Sequence, residues 1–224
     1  MASRQAKKCF EILRDTFPKP KLTTENRDAF KTLIMTVISQ NTNERNTSVA
    51  FENLSNRFRI IPETLAKAKI KEIEESLKTV GLHRRKSRAI KQVSEVIREK
   101  YDSDQTPILS LPLEQARTEL LQLPGVGPKT ADIVLLFAAK KPTIPVDTHV
   151  SRVSKRLGFA PESGNYEEVR INLQKLFEPE DYLAVHVLLI QHGREYCRAR
   201  TPSCFKCPLN SLCPSRNLFK QRRA

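Results

Sequence analysis

Wherever apolar residues recur in this sequence, they recur at the period of an α-helix. Phe30, Leu33, Ile34, Val37 and Ile38 fall at i, i+3, i+4, i+7 and i+8, which puts all five on one helical face. Ile90, Val93 and Ile97 repeat the theme, as do Val169, Leu173 and Leu176. Val150, Val153 and Leu157 make a further face, followed by Gly158 at a position that suits a left-handed helix cap. Strand-type alternation is confined to Thr143–Val146. A chain patterned this way must pack helix on helix, so the expected fold class is all-α. Its 224 residues can bury a sizeable core without a covalent staple. Breaks are expected at Phe17-Pro18-Lys19-Pro20, at Thr106-Pro107 and at Lys141-Pro142, the last marking passage from a central helical unit to a C-terminal one.

Charge narrows the partner. Lys and Arg number 39 against 25 Asp and Glu, a formal +14, and the basic residues recur in groups such as Arg84-Arg85-Lys86, Arg152-Lys155-Arg156 and Arg222-Arg223. A surplus of this size faces a polyanion more readily than it serves solubility alone. The longest apolar runs, Ile133–Ala139 and Tyr182–Ile190, are too short to span a bilayer, and MASRQAKKCFEIL lacks the apolar segment of a signal peptide. No membrane association is expected, and the expected location is intracellular.

Four of the five cysteines, Cys197, Cys204, Cys207 and Cys213, lie within 17 residues. In a reducing compartment that grouping points to metal rather than to disulfides. Four thiolates suit zinc or an iron–sulfur cluster, and tetrahedral sulfur ligation does not separate the two. Cys9, in the apolar pattern of Phe10 and Leu13, reads as a small buried hydrophobe.

The stretch LPGVGPKTADIV, Leu123–Val134, follows the helical face of Leu113, Ala116 and Leu120 and leads into the largely apolar run Ala131–Ala139. It reads as helix, tight hairpin, buried helix. It is neither a dinucleotide fingerprint, which needs a preceding strand, nor a Walker loop, which needs adjacent Gly-Lys. Gly125 and Gly127 let backbone amides approach a ligand, with the next helix's N-terminus aimed the same way, an anion site that suits a DNA phosphate. A plain interhelical turn is the other reading. Pro128 suits the first helical position, which puts Lys129 in the first turn, where the helix dipole works against its charge. An amine so placed can pair with a phosphate or, once neutral, attack an electrophilic carbon.

LPGVGPKTA, then VDTHV at Val146–Val150, then HGREYC at His192–Cys197 and the run Cys-x6-Cys-x2-Cys-x5-Cys together resemble the endonuclease III family of base-excision DNA glycosylases, over about Phe30 to Cys213. The resemblance implies a central helix-hairpin-helix unit of six helices, residues 28–139, and a terminal helical unit, 1–27 with 140–224, with a DNA-binding cleft between them. It implies Lys129 and Asp147 as catalytic residues, although an aspartate at that place also suits the N-cap of a helix starting near Thr148. It implies a [4Fe-4S] cluster held by Cys197, Cys204, Cys207 and Cys213 in the loop 197–213. DNA contacts are expected from Gly125 and Gly127, from Arg84, Arg85 and Lys86, and from Arg198 and Arg200. Two side chains, Asn41 in SQNTNE and Leu82 in VGLHRR, are expected to enter the duplex when a base is flipped out. The implied activity is a monomeric glycosylase and abasic-site lyase acting on oxidised pyrimidines in double-stranded DNA. A monofunctional mismatch glycosylase and a non-catalytic iron–sulfur DNA-binding protein are the alternatives.

Overall fold

A computed structural model of the chain describes residues 2–17 and 28–219, so the turn expected at Pro18–Pro20 and the basic pair Arg222-Arg223 lie outside the described residues. Among the described residues twelve α-helices run in order: α1 (Ala2–Thr16), α2 (Ala29–Ser39), α3 (Glu44–Arg57), α4 (Pro62–Lys67), α5 (Ile70–Ser76), α6 (His83–Lys100), α7 (Thr106–Ser110), α8 (Leu113–Leu121), α9 (Pro128–Phe137), α10 (Thr148–Arg156), α11 (Tyr166–Leu176) and α12 (Tyr182–Glu195). No strand occurs among the described residues, and Thr143–Val146 is extended chain, with Ile144 and Val146 buried. Thr106-Pro107 opens α7, where proline's missing N–H is harmless. The chain divides into two compact units: a central one that ends at Lys141 and a terminal one that joins α1 to the chain from Pro142 onward.

In the central unit α2 packs against α3, α6 and α9. The face read from Phe30 to Ile38 is buried there, together with Ile90, Val93 and Ile97 of α6 and Ala131, Val134 and Leu135 of α9. Asp28 starts α2 by accepting from the Lys31 amide at 3.0 Å, and Asn43 starts α3 in the same way through Asn46. Arg117 of α8 and Asp132 of α9 form a buried two-pronged pair, Nε to Oδ1 at 3.0 Å and Nη2 to Oδ2 at 3.3 Å, which fixes the two helices of the hairpin against each other. Breaking such a pair by removing one partner typically costs about 3–5 kcal/mol.

In the terminal unit Cys9 and Leu13 of α1, Val150 and Val153 of α10, Val169 and Leu173 of α11 and Val185, Leu188 and Leu189 of α12 share one core. Gly158, at φ +74, follows α10. Beyond α12 the described residues make short 3-10 turns, Cys204–Lys206, Asn210–Leu212 and Pro214–Phe219.

Candidate functional site

In the central unit the hairpin between α8 and α9 carries the features that chemistry needs. Gly125 has φ +76, and a Cβ there would lie 2.6 Å from Ala89 Cβ of α6, so only glycine lets the turn press on that helix. Gly127 differs. Its φ of −100 is open to any residue and a Cβ would meet nothing within 4 Å. The protein therefore does not need a glycine at 127 for its own packing, whereas an approaching ligand would. Gly127 caps α9 with no side-chain hydrogen bond, leaving first-turn amides turned outward at the positive end of the helix. Lys129, half-buried, stands in that turn and makes no ion pair among the described residues.

Of the turns of this unit that hold exposed groups in left-handed backbone, two carry residues expected to enter the duplex. Asn41, at φ +51, is exposed just after α2. Leu82, at φ +58, precedes α6 and is 56% exposed. Left-handed backbone costs a leucine about 1–2 kcal/mol. An apolar side chain held in strain and in water is a mark of function rather than of packing. Arg84 and Arg85 are exposed in the first turn of α6. Lys86 is not available, contrary to the expectation that it contacts phosphate: it is 3% exposed and its Nζ donates to Ile38 O at 2.9 Å, an internal clamp on the last turn of α2. Burial pushes its pKa down. Gln40, which sequence reasoning passed over, donates from Nε2 to Gly125 O at 3.0 Å and to Thr130 Oγ1 at 3.3 Å. Its only sequence signal is adjacency to Asn41.

In the terminal unit Asp147 caps α10, its Oδ1 accepting from the Val150 amide at 2.7 Å. The four clustered thiols line one cavity with His192, Tyr196 and Arg156. Burial pushes the Cys207 thiol up to about 11 and raises Cys204 and Cys213 as well. Losing those protons calls for a bound cation. Among the described residues no three Cys, His, Asp or Glu side chains converge tightly enough for a single metal ion. Sulfurs on one zinc stand about 3.8 Å apart, given a Zn–S bond of about 2.3 Å. His192, pushed down to about 4 by burial, is a neutral imidazole with Nε2 3.7 Å from Cys207 Sγ.

Arg198 and Arg200 are exposed on the segment that leaves Cys197. Arg152 and Arg156, read from sequence as part of a polyanion-facing group, are instead spent inside the unit. Arg152 donates to Cys197 O at 2.9 Å and Gly193 O at 3.0 Å, and Arg156 to Arg198 O at 2.8 Å, Ala199 O at 3.0 Å and Cys197 Sγ at 3.4 Å. They hold the start of the cysteine loop. The pattern of α10 gave no hint of this, because the partners lie more than 40 positions away.

Comparison with known proteins gives the family. The family described as HhH-GPD superfamily base excision DNA repair protein matches residues 34–179. The chain is 34% identical over 205 residues to endonuclease III of Sulfolobus acidocaldarius, covering 91% of this chain and 90% of that protein. It is 36% identical over 203 residues to endonuclease III of Thermotoga maritima, covering 91% of each. A trapped endonuclease III–DNA covalent intermediate superposes with a TM-score of 0.85 at 32% identity, over 96% of this chain and 97% of that one. A thermostable thymine-DNA glycosylase, at TM-score 0.68 and 22% identity, shares the fold. By family match and by full-length likeness, the chain belongs to the endonuclease III family within the HhH-GPD superfamily of base excision DNA repair proteins.

Proposed function

We propose that this protein is a bifunctional DNA glycosylase and abasic-site lyase that removes oxidised pyrimidines from duplex DNA inside the cell. The observation that carries the reading is Lys129 itself: an amine without an ion-pair partner among the described residues, in the first turn of α9, in a chain whose fold matches an endonuclease III solved as a covalent DNA intermediate. A covalent intermediate needs a nucleophile, and a neutral lysine amine supplies one. Lys129 Nζ attacks C1′ of the flipped nucleoside as the C1′–N bond to the base breaks and the base leaves with a proton. Ring opening gives a Schiff base. Loss of a C2′ proton then breaks the C3′–O bond to the 3′ phosphate, and water releases the lysine. Asp147 stabilises positive charge on the sugar and assists proton transfer while its Oδ1 keeps capping α10.

Gly127 and the outward amides of α9 take a phosphate, Arg84, Arg85, Arg198 and Arg200 take others, and Asn41 and Leu82 fill the gap left by the flipped base. The cysteine loop is assigned a [4Fe-4S] cluster on Cys197, Cys204, Cys207 and Cys213. The donor set fits it: four thiols line one cavity, the ligand number and type that such a cluster takes. When bound, such a group cross-links the loop. The protein works as a monomer.

The test is incubation with a thymine-glycol duplex and borohydride. A cleaved strand and a trapped complex are expected from the wild type. Lys129→Gln should give neither while still binding DNA. Base release without cleavage or trapping by the wild type would instead mark a monofunctional glycosylase.

A further inference from the structure

Three segments of the central unit carry proposed DNA-reading groups: the loop after α2 with Asn41, the turn before α6 with Leu82, and the hairpin before α9 with Lys129. The side chain next to Asn41 ties the first segment to the third. Gln40 spends its carboxamide N–H groups on Gly125 O, 85 positions away, and on Thr130 Oγ1, 90 positions away. Those two acceptors bracket Val126-Gly127-Pro128-Lys129, so one side chain clasps both ends of the turn that presents the amine. The backbone reverses between neighbours: Gln40, at φ −58, leaves the helix with its side chain turned to the hairpin, while Asn41, at φ +51, is exposed. Gln40 takes no part in the apolar core of the unit. α6 closes the arrangement from its other side, with Lys86 holding Ile38 O and Ala89 meeting Gly125.

We propose that Gln40 is a positioning residue that makes the Asn41 loop and the Lys129 hairpin move as one piece, so that filling the gap in the duplex and presenting the amine occur together. The inference rests on the reading of Lys129 as nucleophile. With its donors committed to the hairpin, Gln40 does not read a base. What it governs is the placement of the amine, where a displacement of about 1 Å costs about a hundredfold in rate. Phosphate contacts, which set most of the affinity, do not sense it.

The experiment compares wild type with Gln40→Met, which keeps the length and removes both donors. Three quantities are read: the single-turnover trapping rate at saturating enzyme on an abasic-site duplex, Kd for undamaged duplex, and Tm of the protein alone. The expected result is a trapping rate lower by about tenfold, with Kd unchanged within about twofold. In an Asn41→Gly background the same change should cost less than about threefold, because the gap-filling side chain to which Gln40 couples the amine's placement is gone. Gln40→Glu, which sets a carboxylate against the Gly125 carbonyl, should show the same ordering and replaces the methionine variant should that one not fold. Equal rates for wild type and the Gln40 variants overturn the inference. So does an equal loss in both backgrounds accompanied by a lowered Tm, which marks a merely structural role. Failure of the wild type to trap at all sinks the Lys129 reading instead.

Discussion

The hairpin of the central unit and the cysteine loop of the terminal unit both carry proposed functional groups on irregular chain beside a helix, and they are held in opposite ways. Around the hairpin, Leu123 and Val126 are buried, Ala131, Val134 and Leu135 follow in the core, Arg117 and Asp132 lock the flanking helices, and Gly125 rests on Ala89. Every constraint there comes from folded polypeptide. From Cys197 to Cys213 only Leu209 is buried, the secondary structure is short 3-10 turns, and side chains hold it by single carbonyls, Arg152 and Arg156 at its start, Asn210 on Cys204 O and Gln5 on Leu212 O further on. The first device comes with folding; the second, on the proposed reading, is completed by the bound cluster. On that reading, chemistry on the hairpin is robust to the state of the loop, and binding through Arg198 and Arg200 is not.

The largest expected effect separates chemistry from both scaffolds. Asp147→Asn should slow single-turnover base release by about a thousandfold, since a preorganised charge is worth about 3–4 kcal/mol in a transition state. Stability should change by less than about 0.5 kcal/mol, because asparagine caps a helix as well as aspartate does. Asp147→Ala should lose the same activity and, in addition, about 1 kcal/mol of stability by denaturant titration. An Asn variant with normal turnover would reduce Asp147 to a cap.

Next comes the loop. Cys204→Ser should lose iron, measured by metal analysis, and amides from about residue 197 onward should exchange freely while those of α2, α6 and α9 keep their protection. Loss of protection in the central unit as well would erase the contrast between the two regions. The glycines then divide the hairpin's own roles. Gly125→Ala forces a left-handed alanine against Ala89 and should cost about 2 kcal/mol in stability. Gly127→Ala should leave stability within about 0.5 kcal/mol and weaken duplex binding, because its Cβ enters space the protein leaves open. The smallest effect is at the exposed arginines: Arg84→Ala or Arg198→Ala should lower the salt slope of binding by about one unit and weaken all duplexes alike.

How much of this was legible in the sequence follows from how local each signal is. The faces of α2, α6, α10 and α11 are periodic within one helix, and Gly125, Pro128 and the cysteine spacing are short-range patterns, so fold class and candidate segments could be read directly. The roles proposed for Lys129 and Asp147 rest on resemblance, since spacing alone leaves a phosphate contact and an N-cap as open readings. What stayed hidden is pairwise and distant. Lys86 looks like its neighbours Arg84 and Arg85 until its partner 48 residues away turns it inward. Arg152 and Arg156 look like surface charge until the loop folds over them. Asp132 interrupts an apolar run, a visible signal whose partner Arg117 lies across the hairpin. Gln40 gave none.

Which amine attacks the sugar decides the proposed mechanism, and peptide mapping of the borohydride-reduced complex by mass spectrometry tests that most directly. The predicted result is a deoxyribose remnant on Lys129 alone, in the peptide spanning the hairpin, and the same assignment in a Cys204→Ser protein that still binds DNA. A remnant on another lysine or on the N-terminal amine, with Lys129 unmodified, would contradict it.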